Sequence, residues 1–299
     1  MNQNTVSSSE SVTKKYKKRS QFAEIWRRFK QNKGAMVGLF VVFVIIFIAV
    51  FADVLFDYDT QVTAMDIANR MKEPCMEHLF GTDEMGRDIF IRVLYGSRAS
   101  LSVGAMATLI GLIVGMTLGC IAGYFGGAIE DVIMRATDIC GSIPHILMGI
   151  AIVSALGVST MNLILALGFT SISSFVRITR AAVLTVRNQE YVEAGRAIGQ
   201  SEAKIIFSHI LPNCLSPIIV QVTLRIASAI VAASSLSFLG LGVKPPSPEW
   251  GALLSAGRTY VRTKPYMTLF PGLAIMVTVL AFNLVGDGLR DALDPKLRK

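Results

Sequence analysis

Few residues in this 299-residue chain could do chemistry, and their spacing excludes the common kinds. The histidines His78, His145 and His209 stand far apart, and no HExxH sets two of them on one helix face as a zinc hydrolase needs. Cys75, Cys120, Cys140 and Cys214 form neither a CxxC pair nor a Cys/His set, so they read as small apolar residues; no metal site is expected. The adjacent carboxylates Asp83 and Glu84 fall in a polar loop, where solvation accounts for them. The phosphate-cradling G-x-x-x-x-G-K-[ST] pattern does not occur, so the chain is not expected to bind ATP itself. What remains are charges in unusual places. Arg225 lies inside an apolar stretch and Asp138 at the edge of another. The segment EYVEAGRAIGQSEAKIIFSHILPN, residues 190–213, sets Glu190, Glu193, Arg196, Glu202 and Lys204 between two long apolar runs.

A charge at the centre of a bilayer costs roughly 2.5–3.5 kcal/mol on insertion scales, so Arg225 is expected to face the bundle interior or a watery path. It could line a translocation pathway near anionic substrate groups, or snorkel and pair with a structural carboxylate. Asp138 is a weaker candidate of the same kind.

The 190–213 segment reads as two short helices with a corner. Tyr191, Ala194 and Ile198 share one face of the first, and Gly199 can take the left-handed conformation that stops it. Ser201 is a good N-cap, and Glu202 suits the first turn of a second helix running through Ile206 and Ile210 to near Pro212. Ser216 and Pro217 would then start the next span. A DNA-reading helix-turn-helix also has a glycine corner, but this unit is tethered between membrane spans. A pair lying on lipid is conceivable; a docking element for a cytoplasmic partner explains more. No nucleic-acid partner is expected.

These residues must be held by an apolar framework. Hydrophobic residues make up 52% of the chain and charged ones 17%, against about 25% charged in soluble domains, which points to a membrane protein. Residues 34–52 carry no charge, enough to span the ~30 Å hydrocarbon layer, and lack the small-residue cleavage site of a signal peptide. An uncleaved first span is expected, with spans near 35–56, 100–123, 139–157, 159–176, 217–239 and 268–286. Pro144 and His145 interrupt the third. Ahead of them, residues 1–20 read as a disordered tract. FAEIWRRFKQNK then places Phe22, Ile25, Trp26 and Phe29 on one face, suited to the interface with lipid. The division is a tail with its juxtamembrane helix over 1–33, a transmembrane domain over 34–289 and a tail over 290–299.

With six spans both termini share a side. That side holds nineteen of the 29 Lys and Arg, against nine opposite, with Arg225 inside a span. Positive-inside bias places both termini in the cytoplasm. In the second span Gly111, Gly115, Gly119 and Gly123 draw one stripe that lets a neighbouring helix approach closely, as a sliding interface or as static packing.

EAGRAIG…HILPN resembles the EAA loop of ABC-importer permeases, E-A-A-x3-G-x9-I-x-L-P. Glu193, Ala194, Gly199, Leu211 and Pro212 match, whereas Gly195 replaces the second Ala and His209 the Ile. HILPN is similar to the oligopeptide/dipeptide branch. HLFGTDEMGRDIFIRVLYGSRASL (78–101), SFLGLGVKPPSPEWG (237–251) and PGLAIMVTVLAFNLVGDGLRDALDP (271–295) resemble the C-type permease of dipeptide, oligopeptide and nickel importers. The resemblance covers about residues 22–298.

It implies an all-α, six-span permease of the type I importer fold, in the plasma (inner) membrane. The implied partners are a second, B-type permease, two ATP-binding cassette subunits that use ATP and Mg, and an extracytoplasmic substrate-binding protein, all in contact with membrane lipid. No cofactor is expected on this chain. The resemblance also implies that Glu193, Ala194, Gly195, Gly199 and Ser201 shape the coupling helix, and that Leu211 and Pro212 fix its junction to the fifth span. Gly195 would soften that helix. GTDEMGRD, with Thr82 or Asp83 capping a short helix, and KPPSPEWG would form either a rim for the binding protein or a plug between helices. Di- or oligopeptides are the expected cargo, nickel chelates or other small solutes the alternative. An ion-coupled secondary transporter would need midplane carboxylates that the chain does not offer.

Overall fold

The computed structural model describes residues 21–293, apart from the side chains of Gln21 and Phe22. Residues 1–20 and 294–299 lie outside the described residues, and with them the expected disordered tract and most of the basic C-terminal tail. Among the described residues the regular structure is helical, with one isolated bridge between Thr82 and Asp88.

Helix α1 (Gln21–Gln31) leads into α2 (Lys33–Val50), whose N-cap Asn32 accepts a hydrogen bond from the Ala35 amide at 3.1 Å. Small residues of α2, Ala35, Gly38 and Ala49, are buried, while Val37, Phe40, Phe43, Phe47 and Val50 form an exposed apolar stripe. In a membrane that stripe faces lipid, and the small side lets α2 meet the last helix closely: a Cβ on Gly38 would lie 2.8 Å from the Ala281 carbonyl oxygen. α1 does more than lie in the lipid interface. Its Phe29 is buried in a cluster with Val285 and Ala292, because Gly288 leaves room for the ring, while Trp26 stacks on Phe29 from outside.

The short α3 (Ala52–Leu55) opens an irregular loop, after which α4 (Ile89–Phe125) starts well before residue 100. Asp88 caps it by accepting from the Ile91 amide at 3.1 Å, so neither Thr82 nor Asp83 has the expected capping role. At 37 residues α4 is about 55 Å long and carries both ends of the bundle.

The expected third span over 139–157 is not one helix. α5 (Gly127–Ser142) and α6 (His145–Leu156) meet at 88°. Pro144 brings no N–H to the ladder and holds Ile143 extended, at φ −90° and ψ 128°. The 12 residues of α6 reach about 18 Å, short of the ~30 Å layer. Among the described residues, five helices are therefore long and apolar enough to cross, or six crossings if the bent pair is one. α7 (Thr160–Val186) runs past the expected end at 176, capped by Ser159.

The fifth span also departs from expectation. α8 (Glu190–Ala197) is followed by α9 (Glu202–Ile205), a π-turn over Ile206–Ile210 and α10 (Leu211–Phe238) with no break, so Ser216 and Pro217 lie inside one helix rather than starting one. The wider π-turn precedes Pro212 and accommodates the backbone donor that proline lacks, and the Asn213 side chain donates to the His209 carbonyl at 2.7 Å. α11 (Trp250–Gly257) and α12 (Tyr266–Leu293) complete the bundle.

All four stripe glycines are buried against α7. Cβ atoms added to Gly111 and Gly115 would lie 2.6 and 2.5 Å from the Cβ atoms of Ser171 and Phe175; on Gly119 one would meet the Val176 carbonyl oxygen at 2.5 Å, and on Gly123 the Val183 Cβ at 2.8 Å. The two backbones run too close for any side chain between them.

Candidate functional site

The charged segment folds at the end of the bundle where α4 finishes. α8 closes with a Schellman motif: the Gln200 amide donates to the Gly195 carbonyl at 3.1 Å and the Gly199 amide to the Arg196 carbonyl at 2.9 Å. Gly199 sits at φ +72°, left-handed, with open space around it. Ser201 stands at the N-cap position of α9, but its side chain makes no capping bond. Val192 and Gly195 face inward and join Cys120, Tyr124, Val183, Ile205, Ile210, Cys214 and Ile218 beneath the pair. Leu211 packs on the edge of that cluster, and Pro212 is exposed.

Gly195 has room for a side chain. A Cβ there would meet Gln200, His209 and Ile205 atoms at 3.4–3.7 Å, ordinary contact, so the Ala of the general pattern fits. His209 ties the pair internally, its Nε2 2.8 Å from Gln200 Oε1. Tyr124, the residue that sequence reasoning missed, clasps both helices. Its hydroxyl donates to the Glu202 carboxylate, and the Arg196 guanidinium sits over its ring, 5.2 Å from the centroid. The neighbouring Tyr124 hydroxyl pushes the Arg196 guanidinium above its ordinary range. Arg187 adds a bond to the Gly123 carbonyl at 2.9 Å. The one available signal was a tyrosine closing an otherwise apolar span.

The opposite surface of the pair is bare. Tyr191, Glu193, Ala194, Ile198 and Phe207 point outward, Ile198 at 74% and Phe207 at 70% exposure. Large apolar groups held out by a folded, anchored helix pair mark a contact surface.

The pathway candidates separate. Asp138 is exposed on α5 and pairs with Arg177 of α7 at 2.9 Å, and Glu130 pairs with Arg180 alongside, so the two acids tie α5 to α7. Arg225 is half-buried on α10, with no carboxylate partner among the described residues.

At the other end, the two loop motifs are largely interior. Thr82, Asp83 and Arg87 are buried. Glu249, fully buried, accepts from the Gly251 and Ala252 amides at 3.0 and 2.9 Å, and Trp250 Nε1 donates to the Val93 carbonyl at 2.8 Å. Lys244, Pro245 and Pro246 remain exposed at the tip, so the KPPSPEWG stretch is half anchor, half surface.

Long crossing helices, one broken span and a folded helix pair between two spans define a multi-pass membrane permease subunit. Residues 115–299 match the family described as binding-protein-dependent transport system inner membrane component, and residues 20–74 the N-terminal TM domain of oligopeptide transport permease C. The chain belongs to this family. It is 47% identical to the dipeptide transport system permease protein DppC of Alkalihalophilus pseudofirmus over 279 residues, covering 93% of this chain and 91% of that one. It is 44% identical to the glutathione transport system permease protein GsiD of Pectobacterium atrosepticum over 281 residues, covering 94% and 93%. Among solved structures, an inward-facing MetNI methionine ABC transporter chain superposes with TM-score 0.55 at 17% identity, over 68% of this chain and 96% of that chain. The fold is therefore that of ABC-importer permeases.

Proposed function

We propose that this chain is the peptide-translocating permease subunit of an ATP-driven importer, forming half the pathway with a second permease and receiving force through residues 190–212. Two ATP-binding cassette subunits, using ATP and Mg, drive the permease pair, one of them docking on the outward face of α8, and an extracytoplasmic binding protein delivers the cargo. A cytoplasmic placement of both termini is supported by the two described ends of the chain meeting where Asn32 bonds Asp291 at 3.3 Å, on the same end as the helix pair. The names of the relatives, dipeptide and glutathione permeases, support a peptide cargo. The half-buried Arg225, with no carboxylate partner among the described residues, supports a path suited to anionic groups.

The observation that carries the coupling reading is the exposed face of Tyr191, Ala194, Ile198 and Phe207 on a pair locked to the span ends by Tyr124. Ile198→Asp, at an exposed position, should leave the permease folded and strip the ATPase subunits from it. Copurification from membranes, with substrate-stimulated ATP hydrolysis in liposomes, reads this directly. Full ATPase recovery and uptake by the variant would sink the coupling reading. Uptake of labelled dipeptides tests the cargo independently.

A further inference from the structure

One spanning helix carries polar groups that the rest of the chain leaves unused. Arg225 stands midway along α10, and Gln221 and Ser228, one turn to either side, share its side of the helix. Arg225 and Gln221 are half-buried, and their side chains make no hydrogen bond or ion pair among the described residues. Their polar atoms nevertheless reach the surface of the chain, unlike the buried, unbonded hydroxyls of Ser234 and Ser237 on the same helix. The arginines of α7 are built differently. Arg177 bonds Asp138 at 2.9 Å and Arg180 Nε bonds Glu130 at 2.6 Å, so each is tied within the chain. The lipid side of α2 shows a third pattern, an apolar stripe of Val37, Phe40, Phe43, Phe47 and Val50. A polar face that is reachable halfway through a membrane does not suit lipid. It suits water, or a partner of opposite charge.

Between Arg225 and the helix pair, a cavity of about 330 Å³ opens among α7, α10 and α12. Asn213, Ser216 and Gln221 line it from α10 and Arg290 from α12. Among the described residues no acidic side chain lines it, so its charge is positive. Gln221 therefore belongs to both features: it is one turn from Arg225 and on the cavity wall. A guanidinium grips a carboxylate through two parallel N–H bonds, and the Gln221 amide can donate a further one from the same side of the helix. Every linear peptide carries one α-carboxylate whatever its side chains, so a site that reads this group serves many cargoes. A single cation on an open face also lets the cargo leave.

We infer that Arg225 and Gln221 form a transit site for the free α-carboxylate of the peptide cargo, on the side of α10 that borders the cytoplasmic cavity. The site rests on the peptide-permease function proposed for the chain, and it adds which end of the cargo the chain holds.

The complete transporter with its binding protein, reconstituted in liposomes, provides the test. Uptake of a labelled dipeptide is compared with that of its C-terminal amide, each at a concentration that saturates the binding protein. The wild type should move the free acid about tenfold faster, the worth of one charge-assisted hydrogen bond. Arg225→Gln should bring the ratio to within about twofold of one, and Arg225→Lys should restore part of it. Gln221→Leu keeps the arginine and should narrow the ratio about threefold. No preference in the wild type, or an unchanged one in Arg225→Gln, overturns the site while the peptide function stands. Should Arg225→Gln fail to assemble, an unchanged preference in Gln221→Leu overturns it instead. If Arg225→Gln slows both cargoes equally and sheds the second permease on purification, a carboxylate of that permease holds Arg225, and the site is overturned too. No uptake of either peptide by the wild type overturns the peptide function itself, and the site with it.

Discussion

The two ends of this bundle are built on opposite plans. At one end, Glu249 and Trp250 at the start of α11 reach across the sequence to bond Ser100 and the Val93 carbonyl, and Asp83 locks Arg87 within the α3–α4 loop. Most polar groups buried there are matched, with Arg92 Nε, Ser234 Oγ and Ser237 Oγ left without hydrogen-bond partners among the described residues. At the other end, the 190–213 pair is held by an apolar underside and the clasp from Tyr124, while its upper face stays bare. Matched buried polar groups make an anchor, because breaking any one leaves its partner unsatisfied. A few contacts on a small apolar base make a handle, which can transmit a push without being fused to the body.

The sharpest way to break that contrast is at the anchor. Glu249→Ala removes the cap of α11 and strands two amides and the Ser100 hydroxyl, which should cost about 2–4 kcal/mol of stability. Thermal unfolding of the purified permease should fall by several degrees; an unchanged Tm would mean the loop is not an anchor. Tyr124→Phe tests the handle. It deletes one hydrogen bond worth about 1 kcal/mol, so the fold should persist while ATP hydrolysis becomes less dependent on substrate. If stability falls as far as with Glu249→Ala, the two ends do not differ as described. The smallest effect belongs to Gly195→Ala. Ordinary contacts at 3.4–3.7 Å accept the methyl, so the change should stabilise by about 0.4–1 kcal/mol with transport intact. A loss of transport there would reveal that a flexible α8 is needed after all.

Much of this was legible in the residues. The Gly199 corner, the end of α8 and the glycine stripe follow from local rules, since a left-handed stop and a four-residue spacing concern neighbours on one helix. The outward Tyr191, Ala194 and Ile198 face was legible as a face, though not as the exposed one. Boundaries were less legible. Asp88, followed by Ile89, Phe90 and Ile91, marked the start of α4, yet the charges of Arg92 and Arg98 masked it. Pro217 looked like a helix start and is a helix interior, because the π-turn before Pro212 absorbs the local misfit.

The sequence by itself determined the class of molecule. Charge-poor runs long enough for a bilayer, the Lys and Arg asymmetry and the coupling-loop spacing are properties of single segments, and local chemistry decides them. Only the tertiary structure decided that Asp138 is an α5–α7 tie, that Tyr124 is the clasp and that Glu249 is interior. Each of these depends on a partner far away in the chain. Whether a charge is spent or spare is a property of the pair, and no single segment carries it.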